Sequence, residues 1–239
     1  MPLSKISWPR SANPRGRPAI WINAAMSLDG RLAFPGGKRA ILSSPGDFRR
    51  VDLIRATSDA VLVGAGTIRM DDPSLRVHWE RLRGQRLPSE ARGRKDRPPT
   101  RVVIGSSKGL PPTSRVFDGV LPTILFSPSR KDLGRTGPRT TVVPTSGLRV
   151  DLPWALRWLH VHGVQRLMVE GGSQILSSFL SAGLYDRFTL YVAPVLIGGR
   201  SAPSLFEREM LGKDLSPVPL RVQRTQGRDG GILVTIEPR

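Results

Sequence analysis

Apolar residues along the chain gather in short runs, separated by glycine, proline and polar clusters. The run at 19–27 reads as a buried strand ending in the turn Leu28-Asp29-Gly30, and Pro35-Gly36-Gly37-Lys38 reads as another turn. Ser43 or Ser44 before Pro45 predicts a helix N-cap with proline at the first helical position, followed at helical spacing by Phe48, Val51, Ile54 and Arg55. Apolar runs at 60–63, 101–104, 122–126, 140–143, 165–169 and 188–193 predict further strands. Two more helices are expected. One covers 153–161, with Leu152, Leu156 and Leu159 on one side and Trp154 and Trp158 on another. The second carries Ile175, Leu176, Phe179 and Leu180 and stops at Gly183. Runs at 220–223 and 232–236 predict a closing hairpin around Gly230-Gly231.

Strands that alternate with helices and finish as strands predict an α/β fold. The expected form is a mixed, mostly parallel central sheet flanked by helices, with antiparallel C-terminal strands. The 22 prolines and 25 glycines are spread through the loops and mark no linker, so 19–239 reads as one domain. Residues 1–18 read as a flexible basic extension, and 76–100 as a basic loop insertion. The leading segment lacks the apolar centre of a signal peptide. No stretch approaches the roughly 18 apolar residues of a membrane span. The expectation is a soluble, cytoplasmic protein with no membrane partner.

Charge changes the picture less than its size suggests. The 239 residues include 37 Lys+Arg against 19 Asp+Glu, a net +18 made of 31 arginines and only 6 lysines. Residues 76–101 hold nine basic groups (Arg76, Arg81, Arg83, Arg86, Arg92, Arg94, Lys95, Arg97, Arg101), and Lys5, Arg10, Arg15 and Arg17 add four at the N-terminus. Both stretches read as exposed loops, without the aromatic–basic alternation of a single-strand stacking platform. Anionic small ligands such as phosphorylated sugars and dinucleotides suit this charge better than a nucleic acid. The absence of cysteine excludes disulfides, thiolate zinc sites, iron–sulfur clusters and a thiol nucleophile.

Three strand ends carry small-residue turns of the kind that lets a backbone approach phosphates. Gly64-Ala65-Gly66-Thr67 begins a dinucleotide-like pattern, but Arg69 stands where a third glycine belongs, and a plain strand-to-helix turn closed by Asp71-Asp72-Pro73 explains it equally. Glu170-Gly171-Gly172-Ser173 repeats the arrangement, with Ser173 placed to cap a helix or bind phosphate and Glu170 facing a cleft. Met26-Ser27-Leu28-Asp29-Gly30 is the weakest of the three. His78-Trp79-Glu80 matches the His-x-Glu of zinc deaminases only superficially, because the paired cysteines are missing; no metal site is expected. His160 and His162 read as surface or helix-end positions.

Taken in order and spacing, 23–30, 64–75 and 169–172 resemble the pyrimidine reductases of riboflavin biosynthesis, the reductase half of the bifunctional deaminase–reductase. Pro194-Val195-Leu196-Ile197-Gly198-Gly199 is similar to that family's late-strand segment, and the resemblance spans about 19–237. It implies a stand-alone reductase with a dihydrofolate-reductase-like fold, NADPH as hydride donor and a homodimer. The implied substrate is a ribosylamino-pyrimidine 5′-phosphate, whose ribose becomes ribitol. By position, the resemblance implies cofactor contacts at Ala25, Thr67, Asp71, Ser106, Gly171, Gly172, Ser173, Gln174, Ile175 and Leu176. It implies substrate contacts at Arg55, Leu75, Arg76, His78 and Glu170, with Glu170 catalytic and Arg55 on the phosphate. Lys108 and Arg130 are the candidates for a 2′-phosphate.

The chain also departs from the family. His78 stands where an arginine is usual, and an alternating strand would place Arg76 on the same side to compensate. Gly105 stands where an aspartate commonly precedes Ser106, and 37–41 differs from the usual polar and aromatic residues. Two alternatives stay open: a reductase on the same fold acting on another heterocycle, such as a dihydrofolate-like pterin or a specialised-metabolite pyrimidine, or a non-catalytic nucleotide- or nucleic-acid-binding relative.

Overall fold

The structure is a computed structural model and describes residues 7–9, 16–128, 137–207 and 216–238. Most of the expected basic extension and Arg130 lie outside the described residues. The chain divides into two compact units, one of Arg49–Met168 with the residues up to Ala19, the other of Ile20–Phe48 with Val169–Arg239. The divisions fall inside continuous elements, without a linker.

In the first unit, β2 (Ala60–Gly64), β3 (Thr100–Ile104), β4 (Thr123–Ser127) and β5 (Thr140–Pro144) pair in parallel in that order. Every residue of β2 is buried, which is why its sequence is apolar without alternation. Gly64 pairs with Ile104 and Ile104 with Phe126, so the carboxyl ends of the three strands are level. At their amino ends Asp59 ties the bundle: its carboxylate accepts from Arg166 N–H at 2.9 Å and Gln165 N–H at 3.1 Å, while Arg94 donates to it at 2.7 Å. Helix α3 (Leu152–Val161) is capped by Asp151, which accepts from Trp154 N–H at 3.1 Å. Trp154 and Trp158 meet the Phe126 ring edge-on at 6.0 and 5.4 Å, and His162 at the helix end stacks on Trp158.

In the second unit β1 (Ala19–Ser27) runs parallel to β7 (Arg187–Ala193), and β7, β9 (Gly231–Glu237) and β8 (Arg221–Arg228) continue antiparallel. The expected α/β class, mostly parallel with antiparallel C-terminal strands, is borne out. The hairpin turn is Asp229-Gly230, one residue earlier than expected, with φ of +48° and +83°, the combination a twisted two-residue hairpin requires. Asp229 then accepts from Gly46 N–H at 2.9 Å and from the Ser44 hydroxyl at 2.8 Å. Ser44, rather than Ser43, caps α1 (Pro45–Thr57), accepting from Asp47 N–H at 3.0 Å. Three elements pass from one unit to the other along the chain: β1 at its first residue, α1, and β6 (Arg166–Gly171), which leads into α4 (Ser173–Ser181).

The basic stretch from 76 contains no α-helix or strand up to residue 99, where β3 follows, and it is anchored along its length. Short 3₁₀ turns at Trp79–Leu82, Ser89–Ala91 and Arg94–Asp96 bury Leu82 and Ala91, and Arg94 also donates to the carbonyls of Ala56 and Ser58. Arg101, the last basic residue of that stretch, is completely buried on β3 and paired with Asp118 at 2.8 Å. Part of the formal charge is therefore internal to the fold and offers nothing to a polyanion. Among the described residues no helix is long and apolar enough to cross a membrane.

Candidate active site

The first unit gathers its candidate residues at the carboxyl ends of β2 and β3. Helix α2 (Ala65–Asp71) starts directly after Gly64 and places Thr67 in its first turn and Asp71 in its last. Gly66 is exposed, and a Cβ built on it meets no other residue within 4 Å. Beside it, Gly105 has a φ of +130°, and a Cβ there would stand 3.0 Å from the Ala65 Cβ. An aspartate at 105 would be strained and crowded on this backbone. Arg69 closes the arrangement by donating to the carbonyls of Ser106 and Lys108, both at 2.9 Å, while the Ser106 hydroxyl accepts from Lys108 N–H at 3.1 Å. Thr67 and Ser106 are thus carried by a helix and a loop bound to one another.

After α2 the chain takes an unusual path. Asp72 ends the helix at φ +40°, and its carboxylate accepts from Arg115 N–H at 2.8 Å. Leu75, fully buried, has a φ of +52°, a conformation that costs a branched L-residue about 1–3 kcal/mol and is concentrated at functional sites. Residues 72–78 are neither helix nor strand, so the expected alternation that would align Arg76 with His78 does not exist. Arg76 instead pairs with Asp118 at 2.5 Å, and Asp118 is in turn held by buried Arg101. Partial burial of the Asp118 carboxyl works against its charge, but the hydrogen bonds from Arg101, Val120 N–H and Arg76 hold it well below the usual carboxylate range. His78 lies with Nδ1 2.9 Å from a Glu80 carboxylate oxygen, and its N–H donates to Asp52 at 3.0 Å. Arg55 donates to the Arg76 carbonyl at 2.8 Å. Arg55, Arg76 and His78 are therefore brought into one cluster.

In the second unit, β6 ends with half-buried Glu170 and then Gly171, whose φ is +108° and whose added Cβ would come within 3.3 Å of the Leu176 side chain. Gly172 precedes the helix and its carbonyl accepts from Leu176 N–H. Ser173 caps nothing: its hydroxyl donates to the Ser204 carbonyl at 2.6 Å. Gln174 is exposed, Ile175 half-buried and Leu176 core. Ala25, on β1, packs beside Tyr191, Ala193 and Leu42.

The turn that looked weakest in sequence is the most heavily bonded. The Ser27 hydroxyl lies 2.5 Å from Asp29, which also accepts from Gly198 N–H at 2.7 Å and Ile197 N–H at 3.1 Å. Leu28 N–H donates to the Val195 carbonyl. The Ser27 hydroxyl and the two amides lower the Asp29 pKa to about 2. Sequence reasoning missed this link between 27–30 and 195–198. It also missed Asp52, although an acid amid apolar neighbours, three residues before a flagged arginine on one helix, was a readable signal. Among the described residues no three His, Asp or Glu side chains gather to hold a metal ion.

A mostly parallel sheet with glycine turns after the carboxyl ends of its strands is the arrangement of a small-molecule-binding protein of the α/β class. The RibD C-terminal domain family matches residues 18–234, and the chain belongs to that family. It is 35% identical over 224 residues to the 2,5-diamino-6-ribosylamino-4(3H)-pyrimidinone 5′-phosphate reductase of Archaeoglobus fulgidus, covering 92% of this chain and 97% of that protein. The protein of the same description from Methanothermobacter thermautotrophicus is 36% identical over 218 residues, covering 89% and 95%. The fold is that of a diaminohydroxyphosphoribosylaminopyrimidine deaminase/5-amino-6-(5-phosphoribosylamino)uracil reductase from Thermotoga maritima. That likeness has a TM-score of 0.74 at 24% identity, over 93% of this chain and 57% of that one.

Proposed function

We propose that this protein is an NADPH-dependent reductase of riboflavin biosynthesis, converting the ribosyl group of an amino- or diamino-ribosylamino-pyrimidinone 5′-phosphate to ribityl. The observation that carries the reading is the match over nearly the full length of the Archaeoglobus reductase, together with the small-residue turns at the strand ends of this chain. We take both units as one reductase domain, because the family match runs through both. A homodimer acting in the cytoplasm belongs to the same proposal.

The residues present fit a dinucleotide. The backbone around Gly66 is open to close approach, and Gly171 turns where any side chain would strain the chain. In the first unit Thr67, Asp71 and Ser106 would hold the cofactor. In the second, Ala25 and 171–176 would do so, with Ser173 and Leu176 contributing backbone, since the hydroxyl of one and the side chain of the other are engaged within the unit. When bound, NADPH supplies the hydride that adds to the former anomeric carbon of the open-chain imine. The electron pair of the C=N bond moves to nitrogen, which takes a proton. Glu170 orients the ribose hydroxyls and relays that proton. Arg55, fixed through the Arg76 carbonyl, offers its guanidinium to the phosphate, with His78 nearby. Holding carbon, hydroxyls and phosphate at once supplies much of the rate.

The test is loss of the reduced-nicotinamide absorbance with the diamino and the deaminated pyrimidine phosphates side by side, dihydrofolate serving as control. Turnover of either pyrimidine is expected, and NADPH oxidation with dihydrofolate alone would refute the assignment. Glu170→Ala should abolish turnover while retaining NADPH binding; an active Glu170→Ala enzyme would remove Glu170 from the mechanism.

A further inference from the structure

The stretch after α2 carries Leu75, Arg76 and His78, yet no repeating hydrogen-bond ladder shapes it. One turn of α1 does so instead. Asp52 is completely buried, and both of its oxygens are used: Oδ1 accepts from His78 N–H at 3.0 Å and Oδ2 from Arg81 Nη1 at 2.9 Å. One turn along the helix, Arg55 lies 3.9 Å from Asp52 Oδ1 and donates to the Arg76 carbonyl at 2.8 Å. Three points of 76–81 therefore hang from the Asp52–Arg55 pair.

A buried carboxylate is a costly way to join a loop to a helix, because apolar packing of the same volume is usually as stable. Burial pushes the Asp52 carboxyl up, against the pull of the His78 amide, Arg55 and Arg81. What a carboxylate adds over apolar contact is direction: it orients two guanidinium groups and fixes the backbone register of the segment between them.

We propose that Asp52 is a positioning residue of the substrate side, orienting Arg55 and holding 76–81 in register so that Arg55 and His78 meet the substrate phosphate. The inference rests on the reductase reading above. It names a group that touches no substrate and acts through Arg55 and His78.

Asp52→Asn keeps the shape and an acceptor for His78 N–H but removes the charge, and Arg81→Met removes one partner from a partly exposed position. The expected result for Asp52→Asn is a rise of about tenfold in the KM for the pyrimidine phosphate, with kcat and the NADPH KM held within about twofold. The KM for the dephosphorylated pyrimidine should stay unchanged, and hydrogen exchange of the 76–81 amides should quicken. Arg81→Met should move in the same direction by less, and carries the comparison should Asp52→Asn fail to fold. Unchanged exchange, or equal rises in both KM values, would overturn the inference. A wild-type chain that turns over neither pyrimidine phosphate overturns the reductase reading itself, in an arm that does not involve Asp52.

Discussion

Gly66 separates a glycine kept for folding from one kept for a ligand. It lies in the first turn of α2, its φ is not left-handed, and an added Cβ meets no other residue within 4 Å. Nothing in the protein demands glycine here. Alanine should therefore stabilise the fold by lowering the entropy of the unfolded chain, by about 0.5–1 kcal/mol. For a chain of this size that corresponds to a rise in Tm of roughly 1–4 °C. The proposed function predicts the opposite effect on binding. If the dinucleotide approaches this backbone, a methyl group must push it away or tilt it, and the NADPH KM should rise about tenfold or more, the equivalent of about 1.4 kcal/mol. The assay pairs thermal unfolding of the free protein with NADPH titration of the same preparation. A raised Tm with an unchanged KM would refute the placement of the cofactor at this turn. A lowered Tm would refute the packing argument.

Three further outcomes follow from the same geometry. Gly171→Ala should destabilise by about 2–4 kcal/mol, combining the left-handed backbone with overpacking against Leu176, and denaturant unfolding measures it; a loss under about 0.5 kcal/mol would contradict the strain. Asp29, lowered from 3.8 to about 2, binds fewer protons folded than unfolded, so its contribution is complete above about pH 4 and disappears as pH falls through about 2. Asp29→Asn should flatten acid unfolding in that window, and an unchanged acid profile would remove Asp29 from the 195–198 clamp. In the Glu170→Ala enzyme, cofactor titration should match wild type; weakened NADPH binding would move Glu170 to the cofactor side.

Much of the scaffold was legible because burial writes itself locally. A strand covered on both faces, such as β2, must be an apolar run, and the turns that end it need glycine, so strands, hairpin and glycine turns could be read in place. The site was legible only in part. Arg76 and His78 were read as one face of a strand, and that failed because Asp72 and Leu75 take left-handed conformations that no periodicity announces. Arg101 was counted as surface charge, although Asp118, 17 residues on, lets it be buried.

By itself, then, the sequence determined which segments are strands and helices, where the chain turns, and which family's motifs it carries in order, since each depends on neighbours a few residues apart. Tertiary structure alone decided which charges are internal and what holds each candidate residue. Asp29 is joined to amides 168 and 169 residues away, and Asp52 to groups 26 and 29 residues away. Such pairs are chosen when distant segments close on one another and exclude water. A buried carboxylate must then find donors wherever the fold has brought them.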